Sequence, residues 1–284
     1  MSNKQNNAES VHGISLSTAT GPIPYGLTND YMFRIVFQRN KYALKGLLCS
    51  LLGLKENEIN KLEITNEVKI GEAISEKEFR MDILLIMNDN TSINIEMQVK
   101  DYDNWQYRSL IYLCREFDDL DHGVDYSNVQ TAYQIGILDF TLFEEHPEFF
   151  ATYQMRNKKD NHLYTDKFNL MVLELNQIER ATTVDKENCL DTWAKLFKAK
   201  TWEELKMIAN DNKYLESTAE SMYLSNEDKT IRKICRERND LLRSQQAKDK
   251  RIEDLEKLNS QKSTEIEMKD NTCYYNKSFI IKLA

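Results

Sequence analysis

From Thr28 the chain reads TNDYMFRIVF, with Asn29 or Asp30 placed as an N-cap before an apolar helical face. A second helix is expected over Tyr42–Leu54 (YALKGLLCSLLGL), ended in the neighbourhood of Gly53. Three extended segments follow, at about 62–70, 79–87 and 92–100. From Asp103 to about Leu120 the pattern is helical, because Leu110, Leu113, Cys114 and Phe117 recur on one face. Gln130–Phe140 (QTAYQIGILDF) reads as a buried strand, and further extended pieces lie near 149–156 and 167–175. Helices near 186–199 and 201–222 carry Trp193 and Trp202, which should pack them onto the sheet. Helices and strands interleave, so the fold class is α/β.

The ends of the chain differ from this middle. Residues 1 to about 20 are rich in Ser, Asn and Thr and are expected to be disordered, with Pro22 and Pro24 marking the approach to a domain over 21–222. Residues 226–270 contain no Pro or Gly and carry dense, nearly balanced charge, which predicts one long helix. A heptad seam through Ile231, Ile234, Leu241, Ile252, Leu255 and Ile266 also passes through Arg238, Gln245, Lys248, Asn259 and Lys262. Six apolar positions of eleven leave two readings open, a helix that pairs two copies into a homodimer and a solvated single helix. The tail 271–284 does not continue the pattern.

Composition narrows the classes. The 284 residues are 41% hydrophobic, enough for a globular core, and the formal net charge is −8. That is the wrong sign for gripping nucleic acid with a global field, so any DNA contact must come from a local basic patch or a bound cation. Five widely spaced cysteines contain no CxxC pair and no zinc pattern, and read as reduced thiols. With no signal peptide and no run approaching 18 apolar residues, a soluble, cytoplasmic chain that does not engage a membrane is expected.

Candidate chemistry sits at 79–100, FRMDILLIMNDNTSINIEMQVK. Ser92–Lys100 alternates, with Ile93, Ile95, Met97 and Val99 on one side and Asn94, Glu96, Gln98 and Lys100 on the other. Asn88-Asp89-Asn90 is turn material. With that loop Met87 pairs with Thr91, and five residues back along each strand Asp82 falls opposite Glu96 on the same face. Opposed carboxylates repel unless a cation lies between them, and a hard divalent ion suits such oxygen ligands. A polar face on a half-exposed strand accounts for the same spacing without function, and Arg80, opposite Gln98, could neutralise Glu96.

The wider text resembles a known family. TNDYMF (28–33), LEIT (62–65), GEAISEKEFRMDI (71–83), NIEMQ (94–98), RSLIYLCREF (108–117) and GILDFTLF (136–143) are similar to the Rpn recombination-promoting nucleases, a transposase-like branch of the PD-(D/E)XK nuclease superfamily. The likeness runs from about Pro24 to about Asn210. It implies a restriction-endonuclease-like core, a mixed central sheet flanked by helices, and Mg²⁺-dependent cleavage of DNA with one or two ions, for which Mn²⁺ could substitute. On that resemblance Asp82 and Glu96 match the metal-binding acids, and Gln98 stands where the superfamily pattern has lysine. Lys100 could supply the missing cation. Asp30 matches the acid of the N-terminal TND-type motif, as a further metal ligand or as a helix cap; Glu72 and Glu78 stay open as ligands too. Arg108 and Arg115, on one stripe with Tyr112, are candidates for DNA phosphates, or simply a solvated face. The alternative to an endonuclease is a catalytically degenerate domain that binds DNA or protein.

Overall fold

The computed structural model describes residues 15–67, 83–88, 90–118 and 125–281; beyond residue 266 side chains are described for Met268 alone. The described chain falls into two compact units, one running to Cys235 and one from Arg236 onward.

The first unit is built on a six-stranded mixed sheet in the order β1-β2-β3-β4-β6-β5. Its strands are β1 (Leu62–Ile64), β2 (Ile83–Met87), β3 (Thr91–Gln98), β4 (Thr131–Leu138), β5 (Phe150–Gln154) and β6 (Phe168–Glu174). β3, β4 and β6 run parallel, while β1 and β2 on one side and β5 on the other are antiparallel to their neighbours. The hairpin register is the one the turn predicts, Met87 opposite Thr91 and Ile83 opposite Ile95. Asn88 takes the left-handed conformation (φ 52°) that the turn needs. Its side chain accepts from the backbone N–H groups of Asn60 and Lys61 and donates to the carbonyl of Glu58, which pins the turn to the preceding loop.

Helices α1 (Asp30–Arg39), α2 (Lys41–Leu52), α5 (Leu190–Lys198), α6 (Trp202–Ala209) and α7 (Lys213–Glu227) build the large core with one face of the sheet; α4 (Thr183–Glu187) is a single capped turn before α5. Local chemistry sets their ends. Asn29 caps α1 through the Met32 N–H, Asn40 ends α1 and caps α2 through the Ala43 N–H, and Gly53 closes α2 at φ 64°. Phe33, Phe37, Trp193 and Phe197 stack at tilted angles where α1 meets α5, and Trp193 Nε1 donates to Ser50 Oγ at 3.1 Å. The stretch expected as one helix over 201–222 is two, because Asp211 turns left-handed (φ 67°) and Asn212 caps a new start.

The opposite face of the sheet is covered, among the described residues, by α3 (Trp105–Phe117) alone, over a small second core of Trp105, Leu113, Ala132, Leu138, Leu170 and Val172. α8 (Lys229–Ile281) is the expected long helix. Its first turns, through Ile231 and Cys235, are buried in the first unit. In the second unit Leu241, Ile252, Leu255 and Ile266 are exposed. Near the N-terminus, Leu16–Thr18 form a short 3-10 turn and Lys206 Nζ donates to the carbonyls of Ser17 and Ala19. The rest of the expected disordered tail lies outside the described residues.

Candidate active site

Strand β3 is central and buried along its whole length, with its polar residues Ser92, Asn94, Glu96 and Gln98 facing α3. Four polar side chains in a row need partners, and α3 and β4 provide most of them. Ser92 Oγ bonds Glu116 Oε2 at 2.7 Å, and Asn94 Nδ2 donates to Gln134 Oε1 of β4 at 2.9 Å. Arg108 Nη2 of α3 forms a short charge-assisted bond and ion pair with Glu96 Oε1. Gln98 Nε2 donates to the carbonyl of Lys100 at 2.7 Å, while Gln98 Oε1 is buried and has no hydrogen-bond partner among the described residues.

A glycine lets this happen. Gly136 lies directly opposite Glu96 in the β3–β4 ladder, and a Cβ there would run into the indole of Trp105, with Cε2 at 2.9 Å. The missing side chain admits Trp105, the first residue of α3, against the sheet. That contact seats α3, and Arg108, one turn further on, reaches Glu96. The signal was present in the sequence as an isolated glycine in the apolar run QTAYQIGILDF.

The expected site residues are placed as follows. Glu96 and Gln98 come together, both 7% exposed and on one face. Lys100 lies just past the end of β3, its Nζ 5.0 Å from the centre of the Tyr102 ring. Asp30 is the first residue of α1, buried, its Oδ1 accepting from the Tyr31 N–H at 2.8 Å, with the Cys235 thiol close enough to be influenced by its charge. Asn29, not Asp30, is the cap. Arg108 is joined to Glu96, whereas Arg115 is exposed with its guanidinium 5.9 Å from the centre of the Tyr112 ring. Asp82, Glu72, Glu78 and Arg80 lie outside the described residues. Among the described residues no three His, Cys, Asp or Glu side chains gather closely enough to hold a metal ion.

Glu174 was not singled out by its sequence context. It ends β6 in the row Gln98–Leu138–Glu174, which crosses the C-terminal ends of the three parallel strands on the α3 face. Burial pushes its carboxyl up to about 7; the Leu142 N–H opposes that shift and the charges of Glu148 and Glu144 add to it. Its Oε2 has no hydrogen-bond partner among the described residues.

A mixed sheet in this order, with a hairpin carrying buried polar groups into a parallel strand, is a restriction-endonuclease-like α/β fold. A family model described as PD-(D/E)XK nuclease family transposase matches residues 27–254, and the chain belongs to that family. Its class of function is accordingly nuclease-type. No curated protein and no solved structure matches the chain.

Proposed function

We propose that the protein is a divalent-metal-dependent DNA endonuclease whose site is assembled around Glu96 and Gln98 with Asp82. The observation that carries this reading is the buried Glu96–Gln98 pair on the face of β3, in a hairpin whose ladder is described as far as Ile83–Ile95. One further step of that ladder would bring Asp82 opposite Glu96. Oxygen donors of this kind, carboxylates and a primary amide, fit a hard cation such as Mg²⁺, and Asp30 is a candidate additional ligand. One or two such ions, when bound, would supply Lewis acidity at the phosphate and acidify the attacking water.

The chain's own residues set up the rest. Arg108 Nη2, bonded to Glu96 Oε1, holds that carboxylate in one orientation. Gln98 Oε1, an acceptor only, can take a hydrogen bond from the water and so fix its line of approach. Its Nε2 donates to the carbonyl of Lys100, which fixes the amide orientation. Lys100 and Arg115 are candidate phosphate contacts.

One observation favours the rival, a degenerate domain retained for binding: Arg108 already neutralises Glu96 as a metal would. Plasmid nicking in Mg²⁺ or Mn²⁺ separates them. The nuclease reading expects nicking that falls by at least about a hundredfold in Asp82→Ala and Glu96→Gln. Nicking that survives both substitutions removes this site, and no nicking with any divalent ion favours the binding module. For the second unit we propose self-association through the exposed apolar positions of α8.

A further inference from the structure

Among the described residues α3 covers part of its face of the sheet, and a groove lies between this helix and the β5–β6 edge. Its volume is about 340 Å³, and Trp105, Leu110, Phe143, Tyr153, Met155 and Phe168 are among its walls. That volume lies in the range of small-ligand pockets, roughly 300–1,000 Å³. Phe143 and Tyr153 meet edge-on at 6.4 Å, and Trp105 Nε1 is a buried donor with no acceptor among the described residues.

Two features say what would fill it. Trp105 and Ser109 of the groove bracket Arg108, the partner of Glu96, so the groove and the candidate active site share one helix. At its other side, β5 runs directly from Gln154 and Met155 into an exposed turn with Arg156, Lys158, Lys159 and Asp160, a turn that stays net positive, and Tyr164 is 80% exposed on the segment returning to β6. Glu148 and Glu174 place negative charge near Tyr153, so an anionic chain attached to a flat apolar ring would leave the groove at its other end, along the cationic turn beyond Met155.

We propose that this groove holds an unpaired nucleobase of the DNA strand, with the Arg156–Lys159 turn following the adjoining phosphates. This deepens the nuclease reading and rests on it for the nature of the polymer: it makes the preferred substrate single-stranded or locally unpaired DNA. A base inside a duplex has its faces stacked on its neighbours and must be turned out to enter.

The test is binding of dye-labelled oligonucleotides to the full chain in EDTA, where no metal-dependent cleavage intrudes. A short oligothymidylate is compared with an abasic strand of equal length and charge and with a duplex. The expected result is about tenfold tighter binding of the base-bearing single strand than of the abasic one, within the range of one stacked base. Tyr153→Ala, on an exposed edge position, should reduce that ratio towards one while Tyr153→Phe keeps it. Lys158→Ala with Lys159→Ala should weaken both strands alike. Equal binding of abasic and base-bearing strands, preference for duplex, displacement of the oligonucleotide by vesicles of anionic lipid, or no oligonucleotide binding would each overturn the proposal. Base preference without nicking would sink the nuclease reading and leave the groove standing; nicking without base preference would do the reverse.

Discussion

Arg108 and Glu96 stand twelve residues apart in the chain and meet between α3 and β3, where the carboxylate is 9% exposed and the guanidinium 28%. Such a pair is held by geometry, since taking one partner away strands the other in a medium that solvates it poorly. Arg108→Ala should therefore lower the unfolding free energy by about 3 kcal/mol, and the double variant Arg108→Met with Glu96→Gln should recover most of it. Urea unfolding of wild type, the single variants Arg108→Met and Glu96→Gln, and their double variant forms the cycle. Equal stability of wild type and Arg108→Ala would show that the pair holds nothing together.

Gly136→Ala tests the seat of α3. The added methyl would fall inside the Trp105 indole, a ring 1% exposed, so helix or strand must shift. A loss of about 1–3 kcal/mol is expected. Nicking should fall by more than stability alone explains, because the displaced helix carries Arg108 away from Glu96. Trp105→Leu in the same background should recover stability without recovering nicking.

Glu174 makes stability depend on pH. Its carboxyl is raised from 4.5 to about 7 by burial, so the folded protein favours the protonated form more than the unfolded chain does. The sign follows: this contribution is fully present below about pH 4.5 and is lost as pH rises through about 7. Relative to Glu174→Gln, wild type should lose roughly 3 kcal/mol across that window. Urea midpoints of both proteins from pH 4 to pH 8 measure it, and parallel curves would contradict the assignment.

The apolar positions of α8 predict a change in assembly. Ile252 and Leu255 are 54% and 56% exposed in the single chain. Ile252→Lys with Leu255→Lys should shift a dimer to monomer in light scattering while leaving the melting of the first unit in place. A wild type that sizes as a monomer at every concentration would refute self-association.

A turn that favours left-handed asparagine and an alternating strand beyond it were enough to predict the β2–β3 register, because the turn sets the loop length and a one-residue slip would mismatch the faces of the two strands. The helices with clear caps were legible for the same reason: Asn29 and Gly53 act on groups a few residues away. The break at Asp211 was less so, since Leu205, Ile208, Leu215 and Ala219 keep helical spacing on either side of it.

What the chain alone determined is therefore local: its family motifs, its strand alternation, its caps, and the side of β3 on which Glu96 and Gln98 lie. Only the tertiary structure decided that this polar side is buried rather than half exposed, that Arg108 is its counter-charge, that Gly136 makes room for Trp105, and that Glu174 ends a strand in the same row as Gln98. Periodicity reports which residues share a face, but burial, charge pairing and the shape of a groove depend on what another part of the chain lays over that face, and no spacing within the strand encodes it.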